Sequence, residues 1–494
     1  MSGTVNETAL PAGAGTGTGA GESGRGARPG IGPGSVVLLL VAAVSAYGIY
    51  APLIPEAKAA SALVLMLALI LARVPIGISM LVPGLLGVHA IRGGGAAAGL
   101  MSETPFGAAA SWSMSVIPLF IFMGTLLWKS GITDDLFRSG ELFLGRLPGG
   151  LAVATNVAGA GLSAVTGTTI ASTYTLARSA LPGMLRNGYS PRVAISSVMA
   201  AGMPGQLIPP SVLLVVYAGI AEVSVGPQLI AGIVPGLMFT VAFSALFMAY
   251  AKITRARGSG EPVPAPAGLW RERLGSLGRA WPIVPIMAAV IGGIYGGWVT
   301  ATEAAAVASL LSIALTVFRK GKGSLKIIAD AAADALISSG AIFLLIFGAK
   351  SIALMITVSR LGARMTEWLT GLGFGRVGLL ILLLVVFLLL GMFMDTLALI
   401  LVTVPLLTPV LVQLDVSLIW FGVFITIVGE LALLHPPVGI LGYLLYDLCR
   451  DPEVNLGRRI TLTDVFIASA VVVPVAVLII LLLIFFPALG TIGA

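Results

Sequence analysis

Two carboxylates, Asp395 and Glu430, and a set of hydroxyls, Ser163, Thr166, Thr168, Thr169, Ser172, Thr173 and Thr175, lie inside long apolar stretches of this 494-residue chain. An ionisable group deep in apolar sequence is a functional-site candidate when the apolar stretch spans a membrane. Asp395 reads equally as the N-cap of the helix that follows it. Glu430 reads equally as one half of a buried ion pair, with Lys350 a candidate base. Hydroxyl oxygens and carbonyls freed at glycines are hard ligands suited to Na⁺, and a half-helix N-terminus beside them favours an anion such as a carboxylate. The same Ser, Thr and Gly residues are also those of close helix packing. His435, of a residue type that titrates near neutral pH, is a candidate pH-sensitive group or a neutral core histidine.

These residues fall in two copies of one pattern. Leu207-Ile208-Pro209-Pro210-Ser211 and Leu434-His435-Pro436-Pro437-Val438 each set a double proline in an apolar segment, 227 residues apart (436 − 209). The same offset carries Pro182 onto Pro409, and Thr166-Gly167-Thr168-Thr169 onto Phe393-Met394-Asp395-Thr396. Proline removes a backbone donor and blocks the preceding turn, so each pair breaks its helix and leaves carbonyls free. Two equally spaced broken segments point to a transporter's binding site. Gly202-Met203-Pro204-Gly205-Gln206, in the first broken segment, is a candidate neighbour of the hydroxyl cluster.

The elements that must position this chemistry are membrane helices. The chain is 57% hydrophobic and 10% charged, and several windows exceed the roughly 18 apolar residues of a spanning helix. Spans are expected at about 35–55, 57–72, 76–91, 112–130, 193–222, 229–251, 281–299, 303–318, 333–356, 420–447 and 464–487. The apolar regions 149–185 and 376–411 have polar midpoints and read as re-entrant hairpins. The expected organisation is a disordered tail at 1–34, an extra helix at 35–55 and a first repeat at 56–251. A cytoplasmic basic loop at 252–280 then leads to a second repeat at 281–494. The first repeat holds hairpin 149–185 and broken helix 193–222; the second holds hairpin 376–411 and broken helix 420–447.

Charge sets the orientation. Lys252, Arg255, Arg257, Arg271, Arg273 and Arg279 are opposed by Glu261 and Glu272, and Arg319, Lys320, Lys322 and Lys326 follow two crossings later. The positive-inside rule makes both loops cytoplasmic, together with Arg186–Arg192 and Arg450, Arg458 and Arg459. The repeat counterpart of Arg186–Arg192, Val412–Leu418, has no base and one acid, Asp415, as an inverted repeat requires. The N-terminus is then cytoplasmic and the C-terminus external, with Arg92, Arg360 and Arg364 on the unexpected side. Glu303 with Thr300 has the spacing of a capping box, and Arg73 and Lys129 read as snorkelling near helix ends.

Several classes are disfavoured. The net charge of +7 is distributed over short loops, where it sets topology and does not indicate nucleic acid. A single cysteine, Cys449, excludes an internal disulfide, and two histidines, His89 and His435, argue against a catalytic zinc site. No phosphate loop of the Gly-x-x-x-x-Gly-Lys-Ser/Thr type is present, which argues against ATP hydrolysis. A membrane enzyme with Asp395 and Glu430 as general acid and base would leave the repeat without a role.

From about residue 60 onward the chain resembles the large membrane subunit of the tripartite ATP-independent periplasmic (TRAP) transporters. The resemblance rests on Pro118-Leu119-Phe120-Ile121-Phe122-Met123-Gly124, Leu147-Pro148-Gly149-Gly150, Thr166-Gly167-Thr168-Thr169 and Leu207-Ile208-Pro209-Pro210-Ser211. Ala301-Thr302-Glu303-Ala304-Ala305, Gly391-Met392-Phe393-Met394-Asp395 and the segment from Glu430 through Pro436-Pro437-Val438-Gly439 continue it. It implies an all-α polytopic membrane protein, an inverted-topology repeat of elevator type with two re-entrant hairpins and two broken helices. It also implies import of a small organic-acid anion, a C4-dicarboxylate or sugar acid, across a bacterial or archaeal inner membrane.

Na⁺ is the implied coupling ion, held in one region by Ser163, Thr166, Gly167, Gly202 and Pro209, and in a second by Gly391, Asp395, Gly429, Glu430 and Pro436. Substrate is implied at Thr168, Thr169 and Thr396. The implied partners are a separate small four-helix membrane subunit and a periplasmic substrate-binding protein. The family usually reads Asn-x-Glu-x-Gly-x-x-Thr before the second double proline, where this chain has Val428, Glu430, Ala432 and His435. That departure bears on the second Na⁺ region and raises a proton-coupled or partner-independent symporter as the alternative.

Overall fold

The computed structural model describes residues 33–144, 149–255, 269–371, 373, 375–436 and 439–492. The chain enters with α1 (Pro33–Tyr50) and α2 (Pro55–Leu71). A first unit follows: α3 (Ile76–Arg92), α4 (Gly94–Ala109), α5 (Val116–Lys129), α6 (Ile132–Leu144), α7 (Gly150–Thr166), α8 (Thr169–Arg186), α9 (Pro191–Ala201), α10 (Val212–Ala221), α11 (Val225–Ala231) and α12 (Ile233–Arg255). The link is α13 (Leu269–Ala280), then α14 (Ile283–Met287), which passes through a π-helical turn at Ala288–Gly292 into α15 (Gly293–Tyr295). The second unit is α16 (Ala301–Lys320), α17 (Ser324–Ser359), α18 (Leu361–Gly371), α19 (Arg376–Leu390), α20 (Thr396–Gln413), α21 (Leu418–Leu434), α22 (Ile440–Leu448), α23 (Pro452–Asn455) and α24 (Leu462–Phe485).

The offset of 227 organises the whole molecule. It carries both ends of α8 onto those of α20, and the starts of α9 and α11 onto those of α21 and α23. Local signals begin these helices. Thr300 and Glu303 form a reciprocal capping box at α16, Thr461 and Asp464 do the same at α24, and Pro191 occupies the first turn of α9. The four stretches Val225–Ile253, Ala301–Ser359, Thr396–Gln413 and Leu462–Phe485 are each long and apolar enough to cross a membrane. Gly94–Ala109 with Ser113–Lys129 makes a fifth as a pair bent by 58°. The fold is an all-α polytopic membrane protein.

The two units are inverted. Arg192 Nε lies 2.9 Å from Asp464 Oδ1, and Arg458 donates to Leu185 O at 2.9 Å and Tyr189 O at 3.2 Å. Arg319 pairs with Asp135. These contacts gather the open end of hairpin α7–α8 and the basic loops at one end. Hairpin α19–α20 enters from the opposite end, where Tyr217 Oη donates to Leu418 O at 2.5 Å and Gln228 to Ile419 O at 3.2 Å. Apolar side chains bury into two cores. One joins α7–α9, α12, α19, α21, α22 and α24; the other joins α1–α3, α5, α16 and α17, with α10 and α20 contributing to both.

The structure corrects several expectations. The stretch 94–109 is a helix, and the basic loop contains the helix α13. Helices α6 and α18 fill segments expected as connections, and α17 runs 36 residues, starting well before 333. The extra helix starts at Pro33 and ends at Tyr50, short of 55. Lys129 does not snorkel: its Nζ lies 2.7 Å from Asp334 Oδ2. Residues 1–32, Leu147, Pro148, Arg257, Glu261, Pro437 and Val438 lie outside the described residues.

Candidate functional site

Helix α7 ends because Gly167 turns left-handed (φ +70°), and its N–H closes on Ser163 O at 2.8 Å. Thr168 then caps α8, its Oγ1 accepting from Ala171 N–H at 3.2 Å. In the second hairpin Asp395 caps α20, its Oδ1 accepting from Ala398 N–H at 2.8 Å. Residues 168 and 171 shifted by 227 are 395 and 398, so the caps are repeat equivalents. The capping reading of Asp395 holds.

One residue on, the two tips meet at a single group. Thr169 Oγ1 donates to Glu430 Oε2 at 2.5 Å, and Thr396 Oγ1 donates to Glu430 Oε1 at 2.9 Å. The two threonines are repeat equivalents and are 5% and 3% exposed; Glu430 is 3% exposed. A charge taken from water needs hydrogen bonds to its ionised form, and here both carboxylate oxygens have one. Among the described residues no cation pairs with Glu430, so the ion-pair reading, with Lys350 as a candidate base, gives way to hydroxyls from both halves.

Glycines let these segments close. A Cβ on Gly202 would lie 2.5 Å from Thr169 Cγ2, and one on Gly429 would lie 2.6 Å from Thr396 Cγ2. Gly202 and Gly429 are again 227 apart. Gln206, 1% exposed, lies in the Gly202-Met203-Pro204-Gly205-Gln206 segment expected beside the hydroxyl cluster, though sequence reasoning assigned it no site role of its own. With its amide oriented to match both ends, it donates to Gly167 O at 3.3 Å. It accepts from Thr169 N–H at 3.1 Å, Thr168 N–H at 3.2 Å and Ser163 Oγ at 2.9 Å. A lone amide amid apolar residues after a glycine was the available signal.

The expected site residues therefore separate. Ser163, Gly167, Thr169, Gly202, Thr396, Gly429 and Glu430 converge. Thr168 and Asp395 are exposed at the tips, and Thr166 is half-buried. A Cβ on Gly391 would lie 2.4 Å from Ala432 Cβ, so Gly391 supports the second hairpin against its broken helix. Pro209 is buried in the first break and its bond to Pro210 is cis; Pro436 follows the end of α21. His435 ends α21, its O accepting from Gly439 N–H at 3.0 Å, and its Nδ1 is buried without a hydrogen-bond partner among the described residues. Thr173, one turn below Thr169 on α8, also has a buried hydroxyl without a partner. The donor set is hydroxyl, carboxylate and carbonyl oxygen, suited to a hard monovalent cation. Among the described residues no cluster of three His, Cys, Asp or Glu side chains could hold a metal ion.

Residues 63–489 match the family model described as "Tripartite ATP-independent periplasmic transporter, DctM component". The chain is 32% identical over 337 residues to the C4-dicarboxylate TRAP transporter large permease protein DctM of Pseudomonas aeruginosa, covering 67% of this chain and 76% of that one. It is 28% identical to the Vibrio cholerae protein of the same name, over 80% of this chain and 90% of that one. It is also 28% identical to the ectoine/5-hydroxyectoine TRAP transporter large permease protein UehC of Ruegeria pomeroyi, over 87% and 97%. Among solved structures it is similar in fold to the YdaH transporter of Alcanivorax borkumensis, with a TM-score of 0.60 and 14% identity over 87% of this chain and 99% of that one.

Proposed function

Because this chain belongs to the DctM-component family of the TRAP transporters, a family of permeases and not enzymes, we propose that it imports a small organic-acid anion by Na⁺-coupled elevator motion. The observation that carries the reading is the junction at Glu430. One buried carboxylate ties the tip of a hairpin entering from one end to the tip of a hairpin entering from the other. An alternating-access site must be reachable from either end, and inverted hairpins meeting at mid-depth supply that geometry.

The moving body comprises both hairpins, α7–α8 and α19–α20, and both broken helices, α9–α10 and α21–α22, and the remaining spans form the static body. Na⁺ is taken by oxygens around Ser163, Thr166, Gly167, Gly202 and Pro209, and around Gly391, Asp395, Gly429, Glu430 and Pro436. The orphaned Thr173 hydroxyl beside Thr169 supports an oxygen-ligated ion there. The substrate lies against the exposed tip residues, Thr168 foremost, and Thr169 and Thr396 act from behind through Glu430. The relatives differ in cargo, named for C4-dicarboxylate and for ectoine, and the family's C4-dicarboxylate members set the first choice for this chain. The partners are a small membrane subunit and a periplasmic binding protein. The distribution of basic loops supports a cytoplasmic N-terminus and an external C-terminus in an inner membrane.

A second reading is proton coupling, favoured by the unpartnered Nδ1 of His435 at the second break. One experiment separates the two. Proteoliposomes holding this chain, with and without its small subunit and binding protein, are given labelled organic acids under an Na⁺ gradient, a pH gradient, or choline. Uptake that needs the partners and inward Na⁺ is expected. Uptake driven by pH alone and altered in His435→Thr would establish the second reading; uptake by the chain alone would remove the partners.

A further inference from the structure

A cavity of about 660 Å³ lies at the end opposite the basic loops, away from the tips. Its walls are the bend between α4 and α5, the end of α10 and start of α11, the first residues of α16, and one face of α17. Most of the wall is apolar, with Met114, Val223, Ile230 and Ile346 among the lining side chains. That volume, with an apolar majority in the wall and polar groups such as Ser111, Ser113, Thr302 and Lys350 set in it, suits a small amphipathic molecule.

The cavity contains a cation that nothing in the fold explains. Lys350 lines it, half-buried, nine residues before the end of the long helix α17. Among the described residues its ammonium makes no ion pair and no hydrogen bond. An ammonium in an apolar wall of a membrane helix is costly unless an anion or water completes it. Glu222, held left-handed at the end of α10 (φ +56°), also lines the cavity but forms no ion pair with Lys350. The lysine is therefore open to a ligand.

We infer that this cavity binds an organic carboxylate, its charged group on Lys350 and its carbon skeleton against the apolar wall. The occupant touches the end of α10, which continues the first broken segment, and the start of α11, and also the α4–α5 bend, α16 and α17. On the elevator reading proposed above, filling the cavity braces α10 against α16 and α17, so the ligand slows the relative movement of the two bodies. The carboxylate has two sources, a small soluble acid from outside or an amphiphilic acid from the bilayer.

The full chain, purified in detergent, is titrated with succinate and separately with octanoate while its unfolding temperature and tryptophan fluorescence are followed. Trp112 lines the cavity and reports on it. Saturable binding of at least one probe is expected, with affinity at least tenfold weaker in Lys350→Met and retained in Lys350→Arg. Gly219→Val provides a second variant: a Cβ there would lie 2.5 Å from Met114 Cε and push that side chain into the cavity, so binding should also weaken. Saturation by succinate identifies the soluble acid as the source, and saturation by octanoate alone identifies the amphiphile. Absence of saturation by both probes overturns the proposal, as does binding unchanged in Lys350→Met. Binding lost in Glu430→Gln but kept in Lys350→Met places the ligand at the tips and likewise overturns it.

Discussion

The two halves of the molecule carry one fold and spend it differently. Thr169 and Thr396 occupy equivalent places, each lies against an equivalent glycine, and both donate to the same carboxylate. Where hairpin and broken helix press together, each half needs a missing side chain, but on opposite partners. In the first half it is Gly205 against Ala164; in the second it is Gly391 against Ala432. The first half meets its tip with the amide of Gln206, whose counterpart is Leu433. The second half caps its tip with the acid Asp395, whose counterpart is Thr168. Around them the first arm bends by 58° between α4 and α5, and its counterpart α17 is one continuous helix. The shared contacts are those that set distances; the differing residues are those that bear charge or amide. Geometry is held in common, and the chemistry is divided.

Variants can break that comparison or sharpen it. The largest effect belongs to the group both halves share. Glu430→Ala leaves two buried hydroxyls without their charged acceptor, at about 1.5–3 kcal/mol each, and reconstituted uptake should fall by about a hundredfold or more. Moving the acid to its repeat equivalent asks how far the symmetry extends: Met203→Glu in a Glu430→Met background should take up more substrate than Glu430→Met alone. Equal rates in the two would show that the pseudo-twofold does not reach the site. Gly202→Ala and Gly429→Ala form a matched pair, since each added methyl meets a threonine methyl at nearly the same distance. Overpacking of about 1–3 kcal/mol predicts similar losses of about tenfold in initial rate for both, and a loss in only one would break the equivalence. The smallest effect is Asp395→Thr, which installs the first half's cap in the second. The unfolding temperature should stay within about 1 °C because the cap is retained. The Na⁺ concentration for half-maximal uptake should rise several-fold.

Much of this was legible in the chain because a repeat announces itself by offset. The double prolines, the polar hairpin midpoints and the Thr300–Glu303 spacing each corresponded to a real break, tip or cap. What escaped had a physical reason. The segment 94–109 is rich in Gly and Ala and lacks the hydropathy of a span, and α6, α13 and α18 carry the charges that usually mark a loop. Lys129 finds Asp334 some 205 residues away (334 − 129), a pairing no local pattern encodes. Glu430 invited a basic partner because a buried charge needs compensation; that two distant hydroxyls supply it depends on both hairpins arriving at one depth. Gln206 was visible as a residue, but its role required the position of Gly167.

The single acid at the centre has a consequence for how such a molecule can exist at all. Two identical half-length chains paired about a twofold axis would place either two carboxylates at that axis or none. A single carboxylate shared by both partners requires two halves of different sequence, as the two halves of this chain are. Once Glu430 served both threonines, neither half could be returned to a separate gene as a symmetric pair without losing or doubling the charge on which the two tips converge.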